Sequence, residues 1–143
     1  MMEKILVLMV ASLCCTAQAD ELNAFASDGC SDFPDGNLAH KTLWRNCCIS
    51  HDLAYWLGGT YAERQAADEA LQSCVAETGE PEIAVLMLAG VRVGGSPYWP
   101  TRYRWGYGWP YWDGFAPRGY KVLSDTEKQQ AEILKPIAPG QYN

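Results

Sequence analysis

Two adjacent cysteines, Cys47 and Cys48, constrain this chain more than any other feature. Neighbours of this kind do not readily bond each other, so each must tie their shared segment to a different part of the chain. Two other cysteines, Cys14 and Cys15, lie in an N-terminal stretch that reads as an export signal. Lys4 opens it, an apolar run from Ile5 to Ala11 follows, and Ala17-Gln18-Ala19 gives a small-x-small cleavage site before Asp20. The run is far below the ~20 residues that a helix needs to span a bilayer. Removal of residues 1–19 leaves Cys30, Cys47, Cys48 and Cys74. An even set in a chain expected to be secreted or periplasmic predicts two disulfides. Two pairings are open: 30–47 with 48–74, or 30–48 with 47–74.

The 143-residue length favours one domain, over 20–143. A hydrophobic fraction of 48% against 20% charged argues against wholesale disorder. The net charge of −6 argues against a general nucleic-acid binder, so no nucleic acid is expected as a partner. The acids crowd into residues 20–91, whereas residues 92–121 carry Arg92, Arg102, Arg104, Arg118 and Lys121 against Asp113 alone.

The composition of residues 28–36 is that of a loop, with carboxylates at Asp28, Asp32 and Asp35. A helix is expected from about Leu38 to Leu57, stopped by Gly58-Gly59. Thr60 and Glu63 form a capping-box pattern that starts a second helix, running to about Thr78. Pro81 opens a third, whose charge-free run from Ile83 to Ala89 reads as buried core, ended by Gly94-Gly95. The aromatic stretch 98–115 is broken by glycines and prolines and is expected to form an ordered loop or short hairpin. Ser124 and Glu127 predict a final helix, before Pro136.

The stretch Cys47-Cys48-Ile49-Ser50-His51-Asp52-Leu53-Ala54-Tyr55 carries the chemistry. On a helix, adjacent residues point roughly 100° apart, so His51 and Asp52 do not pair with each other. Cys47, His51 and Tyr55 share one face; Cys48 and Asp52 share the next. The second helix returns antiparallel after the glycine turn, and at 1.5 Å rise His51 and Asp68 both lie ~9–11 Å from it. Asp68 can therefore face His51, fix its tautomer and leave the other nitrogen as a base. Asp52 remains for a metal, and a carboxylate with loop carbonyls suits a hard ion such as Ca²⁺.

Cys-Cys-x-x-His-Asp-x-x-Tyr resembles the active-site helix of secreted phospholipase A2, in a compact form. The second helix resembles that family's next motif, an Asp six residues before a Cys, here Asp68 and Cys74. Gly29-Cys30 is similar to its loop step. Ala54 and Ala67 stand where many members have a bonded cysteine pair, so both halves of that bridge are absent together. The resemblance covers roughly residues 28–76. It implies an all-α fold of two antiparallel disulfide-linked helices, preceded by a calcium-binding loop and followed by a third helix and the aromatic segment. It also implies the bonds Cys30–Cys48 and Cys47–Cys74. His51 would activate a water, Asp68 would orient His51, and Tyr55 would hold Asp68. Asp52 would bind Ca²⁺ with main-chain oxygens of Gly29, Ser31 and Phe33, for cleavage of the sn-2 ester of a glycerophospholipid. The loop departs from the family in Ser31, Asp32 and Pro34, which leaves Asp32 or Asp35 as alternative carboxylate donors.

Other readings compete with these. The four cysteines with His51 could hold zinc, but no Cys-x-x-Cys knuckle is present. Asp68, with Arg64 and Glu69 beside it, could belong to a solvated helix face. Trp99, Trp105, Trp109 and Trp112, with nearby arginines, suit a phospholipid membrane surface, where amphipathic rings sit at headgroup depth. The plainer alternative is that these rings complete a small core. The chain as a whole reads as an exported, calcium-dependent lipid hydrolase. The alternatives are a non-catalytic module of the same fold that binds membrane or protein, and a disulfide-braced structural protein.

Overall fold

The computed structural model of this protein describes residues 20–136. The expected export signal, residues 1–19, lies outside the described residues, as does the tail beyond 136. The fold is mostly helical: α1 (Arg45–Leu57), α2 (Tyr61–Glu77), α3 (Pro81–Gly94) and α4 (Asp125–Leu134). Between α3 and α4 lies one short antiparallel hairpin, β1 (Trp112–Asp113) and β2 (Ala116–Pro117), with Trp112 opposite Pro117 and Asp113 opposite Ala116.

Three helix starts follow from local chemistry. The Thr60 hydroxyl accepts from the Glu63 N–H while the Glu63 carboxylate accepts from the Thr60 N–H, which caps α2. Ser124 and Glu127 make the same reciprocal pair at α4. Pro81 sits in the first turn of α3, where its missing N–H costs nothing.

The fourth start differs from the sequence reading. α1 begins at Arg45; residues 38–40 are bent and irregular and 41–44 form turns, where a helix was expected. The Asn37 side-chain oxygen accepts the N–H groups of Ala39 at 3.1 Å and His40 at 2.8 Å, and Asp35 O accepts from Trp44 N at 3.0 Å. These local bonds offer the backbone an alternative to the helical ladder. Leu38 gains nothing from burial here, being 91% exposed.

α1 is packed on both sides, which is why its sequence shows no clean apolar stripe. One face, with Cys47 and Cys48, meets Leu71 and Val75 of α2 and Ala84 and Met87 of α3. The opposite face, with Ile49 and Trp56, meets Leu22, Phe25, Trp109 and Ala131. Gly58 and Gly59 turn the chain into α2 at φ +70° and +134°, a region that glycine enters without steric penalty. A β-carbon on Gly58 would also strike the backbone of Gly106. Cys47–Cys74 ties α1 to α2, and Cys30–Cys48 ties α1 to the preceding loop. The bonds match the pairing that the resemblance implied and exclude a zinc site built on these four thiols. Two disulfides are suited to an oxidising compartment. No helix among the described residues is long and apolar enough to cross a membrane.

The aromatic segment corrects part of the sequence reading. The last carbonyls of a helix lack partners within it. At the end of α1 these are met from residues 105–109: Gly106 N donates to Tyr55 O at 2.6 Å and Gly108 N to Trp56 O at 3.0 Å. The Trp109 indole donates to Leu57 O at 2.7 Å, and the Trp105 indole to Gly59 O at 2.9 Å. Trp105 and Trp109 are only 2% and 1% exposed, so they are core and not membrane-facing rings. Arg104 and Arg118 are buried too, and Arg118 pairs with Asp20 and Glu127 at 2.9 and 2.6 Å. Trp99 and Trp112 remain on the surface, both 58% exposed.

Candidate active site

The structure brings His51, Tyr55 and Asp68 together. His51 Nε2 lies 3.0 Å from Asp68 Oδ1, and the Tyr55 hydroxyl donates to the same oxygen at 2.7 Å. The rings of His51 and Tyr55, one turn apart on α1, lie 4.2 Å centre to centre. Asp68 has no exposed surface, which removes the solvated-face reading; Glu69 next to it is the exposed acid. A carboxylate only accepts hydrogen bonds. Nε2 therefore carries the ring proton, and Nδ1 is left as the basic nitrogen. Burial pushes the Tyr55 hydroxyl above the ordinary phenol range; Arg64, which donates to it at 3.1 Å, pulls the other way, while Asp68 raises it further. The hydroxyl thus stays protonated and remains a donor.

Asp52, the next residue along α1 from His51, belongs to a different neighbourhood. The Ser27 hydroxyl donates to Asp52 Oδ2 at 2.6 Å and accepts from Gly29 N at 3.1 Å. Ser27 thereby links α1 to the loop that Cys30–Cys48 also anchors. Burial pushes the Asp52 carboxyl from 3.8 up to about 7; the Ser27 bond opposes this, and the charges of Asp28 and Asp35 add to it. Negative charge on Asp52 is thus uncompensated by any cation among the described residues.

The loop itself is turned at Gly29 and Ser31, with φ of +84° and +52°. Asp35 is engaged in holding it: Oδ1 accepts from Cys30 N at 2.8 Å and Oδ2 faces Arg45 at 3.5 Å. That removes Asp35 as a free cation ligand. Asp28 pairs with Arg102 at 3.4 Å and accepts from the Ser31 hydroxyl at 2.9 Å. Among the described residues no three His, Cys, Asp or Glu side chains gather to hold a metal. A cation at Asp52 would draw on that carboxylate, on main-chain oxygens of residues 29–33 and on Asp32, which lines the same cavity. Such all-oxygen donors fit a hard ion such as Ca²⁺ and do not fit zinc.

Two cavities meet at this point. One, of about 370 Å³, is lined by His51, Asp52, Tyr55 and the apolar Leu71, Leu86, Met87 and Val91, with Gly29, Ser31 and Phe33 at its loop edge. The other, of about 480 Å³, is lined by Asn23, Ser27, Asp28, Asp52 and Arg102. Ser31, Asp52 and Tyr103 border both. A basic imidazole and an uncompensated carboxylate thus share the wall of an apolar cleft. That arrangement can deprotonate a water beside a substrate with a long apolar part.

Several site residues carry no signal in the motif. Ser27 precedes the Gly-Cys step by two residues and belongs to no pattern that marks it. Arg92 reaches Asp68 from α3, with Nε 2.9 Å from Oδ2, an ion-pair distance without hydrogen-bond alignment. Arg64 was legible in principle, since it stands four residues before Asp68 on the same helix. No family model, no curated protein and no solved structure matches this chain.

Proposed function

We propose that the protein is a phospholipase A2-like hydrolase that cleaves the sn-2 ester of glycerophospholipids with Ca²⁺ as cofactor. The observation that carries this reading is the buried His51–Asp68–Tyr55 array at 3.0 and 2.7 Å, opening on an apolar cleft beside Asp52. His51 Nδ1 takes a proton from water as the water attacks the ester carbonyl. Asp68 holds the ring in the tautomer that makes this possible and stabilises the imidazolium. Tyr55 fixes the Asp68 oxygen that faces the ring. The same imidazolium then returns the proton to the departing alkoxide of the lysophospholipid. The cleft residues Leu71, Leu86, Met87 and Val91 offer apolar surface for an acyl chain. Asp52 and the carbonyls of Gly29, Ser31 and Phe33 are the groups that would hold Ca²⁺. When bound there, the ion supplies charge for the oxygen that becomes negative.

The test is fatty-acid release from mixed phospholipid vesicles by the oxidised protein, with Ca²⁺ and then with chelator. Release that chelator stops and that His51→Ala abolishes, with the fold intact by circular dichroism, supports the reading. Absence of release from folded protein under both conditions overturns it in favour of a non-catalytic, lipid- or protein-binding role.

A further inference from the structure

We propose that Arg92 is a positioning residue, which fixes the Asp68 carboxylate so that one oxygen stays on His51. This inference rests on the hydrolytic reading above and adds a residue to it from α3. The two oxygens of Asp68 are divided between two sets of partners. Oδ1 takes His51 Nε2 and the Tyr55 hydroxyl, both from α1. Oδ2 faces Arg92 Nε of α3 at 2.9 Å and Arg64 Nε of α2 at 3.9 Å. The terminal torsion of an aspartate is broad and roughly two-fold, so the carboxylate plane is set by its partners. Donors on one oxygen alone leave that plane free to swing; a cation fixed against the other oxygen stops it.

Arg92 is itself held. Its guanidinium donates to the side-chain oxygen of Gln65 and, at 3.2 Å, to Gln65 O, while Glu69 lies 3.4 Å away. Arg64 completes the strut. Its Nη2 donates to Val91 O and Arg92 O, each at 2.9 Å, and its Nη1 to the Tyr120 hydroxyl at 2.6 Å. The last turn of α3 is thereby locked to α2 beside the carboxylate. Arg92 lines neither cavity, so it acts on the reaction only through other residues, and Asp68 is the one of them that contacts His51. A plain α2–α3 clamp would need only the Gln65 and Glu69 contacts and no approach to a carboxylate that α1 already engages.

The experiment compares Arg92→Ala, Arg92→Lys and wild type in two readouts. The first is vesicle hydrolysis, resolved into kcat and KM. The second is the imidazole Nε2–H proton resonance of His51 in nitrogen-15 histidine-labelled protein, assigned by its loss in His51→Ala. A positioning role predicts that Arg92→Ala lowers kcat roughly 10–100-fold with KM within about twofold, since small misplacements of reacting groups cost rates of this order. The Nε2–H resonance shifts or is lost to exchange in the same variant. Arg92→Lys, a point charge without the planar fork, recovers part of both effects. Wild-type kcat with an unmoved resonance in Arg92→Ala overturns the proposal. If Arg92→Ala does not fold, the same comparison is made on Arg92→Lys and Arg92→Gln. If wild type hydrolyses nothing, the hydrolytic reading fails by itself. The resonance then still decides whether Arg92 positions the Asp68–His51 pair.

Discussion

Replacing Asp52 by Asn separates the cation site from catalysis, because its effect is read in stability. The Ser27 hydroxyl donates to Asp52 at 2.6 Å, and an amide oxygen of the same shape can still accept that bond. What changes is charge. The unfolded carboxyl titrates near 3.8, whereas burial and the neighbouring Asp28 and Asp35 move it to about 7 in the fold. Between these values the folded chain keeps a proton that the unfolded chain has lost, so stability falls as pH rises. The penalty is absent below the unfolded value and complete above the folded one. At 1.36 kcal/mol per pH unit it reaches about 4 kcal/mol as a ceiling. Solvent at a partly buried side chain reduces this to about 1–3 kcal/mol. The cation-free Asp52→Asn variant carries no such penalty. Urea unfolding followed by tryptophan fluorescence should therefore give nearly equal midpoints at pH 4 and a more stable variant at pH 8. Ca²⁺ at 100 times its dissociation constant should restore about 2.7 kcal/mol to wild type at pH 8, and nothing to Asp52→Asn. Parallel pH profiles, together with equal Ca²⁺ effects on both proteins, would refute the reasoning.

Three further outcomes follow from the packing. Trp105→Ala or Trp109→Ala should cost about 3–5 kcal/mol of unfolding free energy, whereas Trp99→Ala or Trp112→Ala should stay within about 0.5 kcal/mol; chemical denaturation of the four variants checks the contrast. Gly95→Ala should lower both vesicle hydrolysis and unfolding stability, because its new β-carbon strikes the Tyr55 hydroxyl and ring and the Val91 carbonyl; wild-type activity with wild-type stability would show that Tyr55 can move freely. Removal of Cys47–Cys74, which closes a 27-residue separation, should cost about 3.5 kcal/mol, and removal of Cys30–Cys48, which closes 18, about 3.2 kcal/mol, by loop entropy. Melting of the two double Cys→Ala variants measures both.

The parts of the fold legible in the sequence are those written in local chemistry. The Thr60–Glu63 and Ser124–Glu127 boxes and Pro81 mark three helix starts because each satisfies or omits a backbone donor within a few residues. α1 was legible at its glycine end and not at its start, where Asn37 and Asp35 capture the backbone ahead of Arg45. His51 and Asp68 could be placed together because helical rise sets their level across a tight turn, whereas the place of Tyr55 on Asp68 came from the resemblance. Arg92 could not, since its approach depends on how α3 crosses α2, a tertiary matter. The tryptophans show the same division. Composition marks a dense aromatic segment, but only the unmet carbonyls at the end of α1 decide that Trp105 and Trp109 turn inward while Trp99 and Trp112 do not.

The most direct test of the central claim uses a phosphatidyl substrate whose sn-1 and sn-2 chains differ in length. It is presented in vesicles with Ca²⁺, and the released acids are identified by mass. The account predicts the sn-2 acid and its lysophospholipid partner alone, with no release by His51→Ala. Release of both acids, or release that survives His51→Ala, would contradict it.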